Sequence, residues 1–183
     1  MKILHSVLGA MSLALALGLA SGPVEARDFP PPPAVPTAIA LPGNYEVQAA
    51  FAASGVQIYR CLPSATVAGS YAWSFIAPEA TLFNARGRVA GHHFAGPTWQ
   101  AMDGSKVVGT VLARAASTLP ATIPWLLLSA VVTQPGETFE HVVYVQRLNT
   151  SGGAAPATGC TADTSDTEIR VPYTADYYFY SND

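Results

Sequence analysis

Charge is scarce in this 183-residue chain: Asp, Glu, Lys and Arg together make up 11% of it, and nine basic against twelve acidic residues leave a formal net charge of −3. Nucleic acid and anionic membrane surfaces are recognised by clustered positive charge, so no nucleic-acid partner is expected. Motifs of several large enzyme classes are missing as well. There is no GxGxxG between a strand and a helix to hold a dinucleotide, no GxSxG elbow to expose a nucleophilic serine, and no HExxH to present a metal. Beyond the N-terminus no apolar run approaches the roughly 20 residues of a membrane helix. No repeat of fixed period is present, and cysteine occurs only at Cys61 and Cys160. An oligomer, a partner surface or a retained envelope location would each account for the low charge, as would the high alanine content.

What is present begins with a leader. MKILHSVLGAMSLALALGLASGPVEA has Lys2 near its start, an apolar stretch from Val7 to Ala20 and small-residue exits at Gly18-x-Ala20 and Val24-x-Ala26, the three parts of a secretory signal peptide. Gly22 and Pro23 close the run too early for a membrane anchor. The expectation is a cleavable signal peptide over 1–26, a secreted or periplasmic protein and no transmembrane segment after cleavage. Removing Lys2 and Glu25 leaves 8 basic and 11 acidic residues, again −3. In an oxidising compartment the two cysteines are expected to pair. A bridge from Cys61 to Cys160 would close a loop of about 100 residues, for which chain entropy predicts a stabilisation of roughly 4.7 kcal/mol before strain.

Residues 27–44, RDFPPPPAVPTAIALPGN, hold too many prolines to pair a backbone regularly and read as an extended tether or a strap laid on the domain. From Val56 onward short segments alternate apolar and polar residues between Gly, Pro and Asn, the pattern of strands: VQIYRC, YAWSFIA, ATLF, RVAGHHF, TWQAM, KVVGTVLAR, PWLLLSAVVT, FEHVVYVQRL and VPYTADYYFY. EVQAAFAA, 46–53, fits a short helix or a first strand. Asp103-Gly104 predicts a two-residue hairpin that would set Trp99 opposite Val108, Pro135-Gly136 a second hairpin or a longer loop, and Asn84 to Gly87 a third turn. The segment from Thr150 to Thr167 lacks periodicity and reads as a long loop that Cys160 would pin to the strand of Cys61. The fold class is therefore all-β: a single antiparallel β-sandwich or flattened β-barrel of about 8–10 strands over residues 45–183.

The chemically dense stretch is GHHFAGPTWQAMDGSKVVG, Gly91 to Gly109. Alternation on a strand sends His92 and His93 to opposite faces, so the pair cannot hold one metal without a bulge. His141 shares its strand face with Phe139, Val143 and Val145 and reads as a core histidine. Trp99, near Asp103 and the histidines, is the ring most expected to stack on a ligand if exposed. The other aromatics form stripes, with Tyr173, Tyr177 and Phe179 on one face and Tyr178 and Tyr180 on the reverse, as a core would require. Asp163, Asp166 and Glu168 lack the EF-hand spacing and read as a solvated acidic loop.

Six blocks in order, GVQIYRC, WSFIAPEATL, HHFAGPTWQAMDGSKVVG, IPWLLL, VYVQRLNTSGGAAPATGC and RVPYTADYYFY, resemble the secreted family catalogued as domain of unknown function 3455, over about residues 42 to 180. The resemblance implies an exported protein and carries no catalytic residue or cofactor with it. A malate dehydrogenase label attached to some relatives finds no support in a chain without a dinucleotide fingerprint.

Three readings follow. The first is an exported, non-catalytic binding or envelope-associated protein, without a cofactor, presenting Trp99, His92, His93 and Asp103 to a small-molecule or glycan ligand. The second is a secreted hydrolase or metal-dependent enzyme using His92 or His93 with Asp103 or Glu79. In the third, every conspicuous residue serves turns and packing.

Overall fold

The computed structural model describes residues 29–182; the expected signal peptide and the first two residues of the proline-rich lead lie outside the described residues. Eight antiparallel strands follow one another around a single sheet: β1 (Glu46–Pro63), β2 (Tyr71–Phe83), β3 (Val89–Phe94), β4 (Thr98–Ala101), β5 (Lys106–Ala115), β6 (Trp125–Gln134), β7 (Tyr144–Gly152) and β8 (Glu168–Ser181). β8 pairs back onto β1 from Glu46↔Ser181 to Arg60↔Glu168, closing a barrel. Closure selects the barrel over the sandwich. An eight-stranded bore is just wide enough to be filled by side chains or to hold one small ligand.

The ambiguous segment 46–53 is the first half of β1, which runs on through VQIYRC, and YAWSFIA and ATLF are likewise one strand, β2. FEHVV contradicts its strand assignment. Phe139 to His141 form a turn, with Phe139 N–H donating to the Gly136 carbonyl at 3.1 Å, and the strand begins only at Tyr144. His141 is consequently exposed, 3.7 Å from the Glu140 carboxylate, rather than in the core. The Asp103-Gly104 hairpin forms, but with Trp99 opposite Val107 and Thr98 opposite Val108. Its loop is Met102-Asp103-Gly104: Gly104 N–H donates to Ala101 O, Ala101 N–H to Ser105 O, and Gly104 sits at φ +88°. That is the three-residue hairpin with glycine in the left-handed position, and its one extra residue shifts the register by one.

Alternation now has two meanings. Phe51, Leu82, Trp99, Val107, Leu128, Val145, Tyr177 and Phe179 point into the bore. Leu127, Leu148, Tyr178 and Tyr180 point outward, yet they too are buried, because Phe29, Val35, Ile39 and Leu41 of the proline-rich segment cover them. Gln146 Nε2 donates to the Ile39 carbonyl at 2.7 Å, Tyr180 Oη to Gln146 Oε1 at 2.7 Å, and Tyr178 Oη to the Pro30 carbonyl at 3.2 Å. The run Leu126-Leu127-Leu128 is apolar throughout because this part of β6 is covered on both faces.

The two ends of the barrel differ. At one, the turn after β6 folds inward and drops Phe139 against Phe51 and Phe179, at ring separations of 6.3 and 4.6 Å, forming a floor. At the other, the connections β3–β4, β5–β6 and β7–β8 surround a mouth. Cys61 and Cys160 are joined by a disulfide, which fastens the β7–β8 connection to β1 beside that mouth.

Candidate functional site

Between mouth and floor the bore holds a cavity of about 300 Å³, with Tyr59, Phe75, Trp99 and Tyr177 among its walls. Two bulges aim residues at it. The β1–β2 register shifts at Ile76, which turns both Phe75, exposed at the rim, and Pro78 towards the cavity, and the β5–β6 register shifts at Leu112, which turns Val111 and the exposed Arg114 to the same side. An added residue reverses the alternation of everything beyond it, so barrel rims use bulges to re-aim side chains.

At the centre, His93 and Trp99 are cross-strand partners on β3 and β4. Their rings stack 4.4 Å apart at 9°, and Tyr177 closes on them at 5.0 and 5.3 Å. Gly109 makes room for the indole: a Cβ there would lie 2.9 Å from Trp99 Cζ3. His93 Nδ1 donates to the Thr98 carbonyl at 2.9 Å. Burial pulls the ring's pKa down to about 3, the nearby Arg147 charge adds to the fall, and the Thr98 bond opposes it. His93 is thus a neutral ring at physiological pH, with its proton on Nδ1 and a lone pair on Nε2. Burial likewise raises the Tyr173 and Tyr177 phenols, keeping them protonated.

The cavity's polar atoms are unequally matched. Trp99 Nε1 and Gln57 Nε2 are buried without a hydrogen-bond partner in the protein, although the Gln57 carboxamide lies close enough to the Tyr173 hydroxyl to influence its titration. A buried N–H left unmatched costs about 1–3 kcal/mol. Arg147 reaches in from β7, where Nε and Nη2 donate to the Pro124 carbonyl at 3.1 and 3.0 Å. Two of the guanidinium's five N–H donors are used there, and the Tyr177 hydroxyl lies close enough to Arg147 to take another. No acidic side chain lines the cavity, and among the described residues no ion pair involves Arg147 or Arg114.

The four residues singled out in the sequence do not converge. His93 and Trp99 lie together inside the barrel, with Trp99 only 1% exposed, so the ring meets the bore and not a loop surface. His92 is on the exterior, in a shallow groove that also contains Glu79, whose carboxylate is held by Arg170 at 2.6 Å. Asp103 is at the floor end. Its Oδ1 accepts from Ser105 N and Oγ at 2.9 and 2.6 Å, and its Oδ2 accepts from Thr138 N at 2.8 Å, tying the β4–β5 hairpin to the inward turn. Desolvation alone would raise this carboxyl, but the bonds from Ser105 and Thr138 hold it at about 2. Among the described residues no three His, Cys, Asp or Glu side chains are grouped to hold a metal ion. Asp163 lies within a single-turn helix (Ala162–Thr164) and Asp166 just beyond it, while Glu168 pairs with Arg60 at 2.6 Å.

Gln57, Tyr177 and Arg147 are functional candidates that reading the sequence for motifs missed. A signal existed for Arg147: in VYVQRL it shares its face with Val145, an inward position where a charge needs a reason. A family model described as "Protein of unknown function (DUF3455)" matches residues 42–181. No curated protein and no solved structure matches the chain.

Proposed function

Since the chain belongs to the DUF3455 family, whose description names no activity, we propose a function from the cavity itself: non-catalytic binding of one small, largely apolar ligand inside the barrel of an exported protein. The observation that carries this reading is a cavity of about 300 Å³ entered at the mouth, walled by aromatic rings and lined by few polar groups, Arg147 among them. Small-molecule sites have that composition, concave and apolar with a few convergent polar groups. The neutral His93 stacked on Trp99 serves as a wall, and its buried ring has no carboxylate or nucleophile to work with. Export is supported by the leader and by the disulfide, a bond that persists in oxidising compartments.

Titration with N-phenyl-1-naphthylamine, a neutral probe that fluoresces in apolar surroundings, tests the reading. Saturable binding of one probe per chain is expected, and Val111→Trp, which fills the cavity from β5, should abolish it. Binding that never saturates, or that Val111→Trp leaves unchanged while the variant stays folded, would place the probe elsewhere and defeat the proposal.

A further inference from the structure

We infer that the ligand class is an apolar monocarboxylate, its head group against Arg147 and its body along Trp99 and Tyr177. The inference rests on the cavity reading above and adds the chemistry of the head group. Three features support it together. Arg147 is on an inward position of β7 among aromatic and aliphatic side chains, with N–H donors beyond those given to Pro124 and directed at the Tyr177 hydroxyl. Trp99, in the cavity wall, has a buried indole N–H with no protein acceptor. No lining side chain is acidic, and Arg114 at the rim is a second positive charge.

Every one of these groups asks for an acceptor. A cationic head would meet two guanidinium groups and no counter-charge. A neutral head would satisfy single N–H groups but leave the guanidinium without an anion. A carboxylate presents two coplanar acceptors that fit the planar edge of an arginine, and charge-assisted bonds of this kind are the stronger ones. The further oxygens of a phosphate would require donors that Val111, Leu126 and Leu128 do not offer. Arg114 at the mouth favours entry of the anion, since a charge of one sign in a low-dielectric cleft raises the local concentration of its opposite.

A matched pair of probes separates the head group from the cavity. Calorimetric titration with 2-naphthoate and with 2-naphthylmethanol should show one site for each, with the carboxylate bound at least tenfold tighter. Arg147→Gln should collapse that ratio towards one, and Arg147→Lys, which keeps the charge but not the fork, should retain part of it. Equal affinity of the two probes for the native protein would overturn the carboxylate assignment while leaving the cavity reading intact. Failure of both probes to bind would overturn both readings. Should Arg147→Gln fail to fold, the ratio in the native protein and in Arg147→Lys still decides the question.

Discussion

His93 is held neutral by its surroundings, and that has a consequence for stability. The ring titrates near 3 when folded against an ordinary value of 6.5, so between those pH values the unfolded chain binds a proton that the folded one refuses. His93 therefore imposes no penalty above about pH 6.5, and the penalty grows as pH falls towards 3, reaching on the order of a few kcal/mol. Urea unfolding of His93→Gln, an uncharged substitute able to keep the Thr98 bond, should show a flatter loss of stability across that window than the native protein. An unchanged acid limb would mean that His93 is protonated in the fold. Asp103 acts in the same direction at lower pH, since its carboxylate bonds to Ser105 and Thr138 are lost as pH falls through about 2. The alternation of RVAGHHF made the split of His92 from His93 legible in the sequence. The ring that stacks on His93 was not legible, because the pairing of His93 with Trp99 is set by the β3–β4 turn over 95–97, for which the sequence offered no register.

The strands show where the sequence's signals run out. Period-two alternation identified nearly every strand, but it reports two faces and not what covers them. Trp125 to Leu128 and Tyr177 to Tyr180 read as stripes or buried runs, and only the pairing of β1 with β8 and the position of Phe29 to Leu41 show which face is bore and which lies beneath the strap. The bulges at Ile76 and Leu112, which orient Phe75 and Arg114, carry no glycine or proline of their own to mark them. The disulfide was legible from compartment and count, and it acts on one element above all. It ties Cys160, in the connection between β7 and β8, to Cys61 of β1 across a separation of 99 residues. The double variant Cys61→Ser, Cys160→Ser should lose about 2–5 kcal/mol in chemical denaturation, with amide exchange accelerated first between residues 153 and 167. A loss confined to the floor end would contradict this placement.

At the scale of the molecule, the barrel separates its functions by end and by face. Phe139 and Asp103 close the floor, the strap seals one outer flank, and the cavity opens where the disulfide-fastened connection and the β5–β6 connection meet. The dense stretch from Gly91 to Gly109 is distributed among all of these parts, which is why it resembled a site in one dimension and is not one in three. Only His93, Pro97 and Trp99 from it line the cavity, and the polar groups beside them come from β1, β7 and β8. The most direct test of that account is the indole N–H resonance of Trp99 in a ¹⁵N-labelled sample titrated with 2-naphthoate. The account predicts a saturable shift of the Trp99 Nε1–H signal at one equivalent, with the amides of His92 and Asp103 little changed. Saturable binding that leaves Trp99 unshifted, or that shifts mainly residues around the exterior His92 groove, would contradict it.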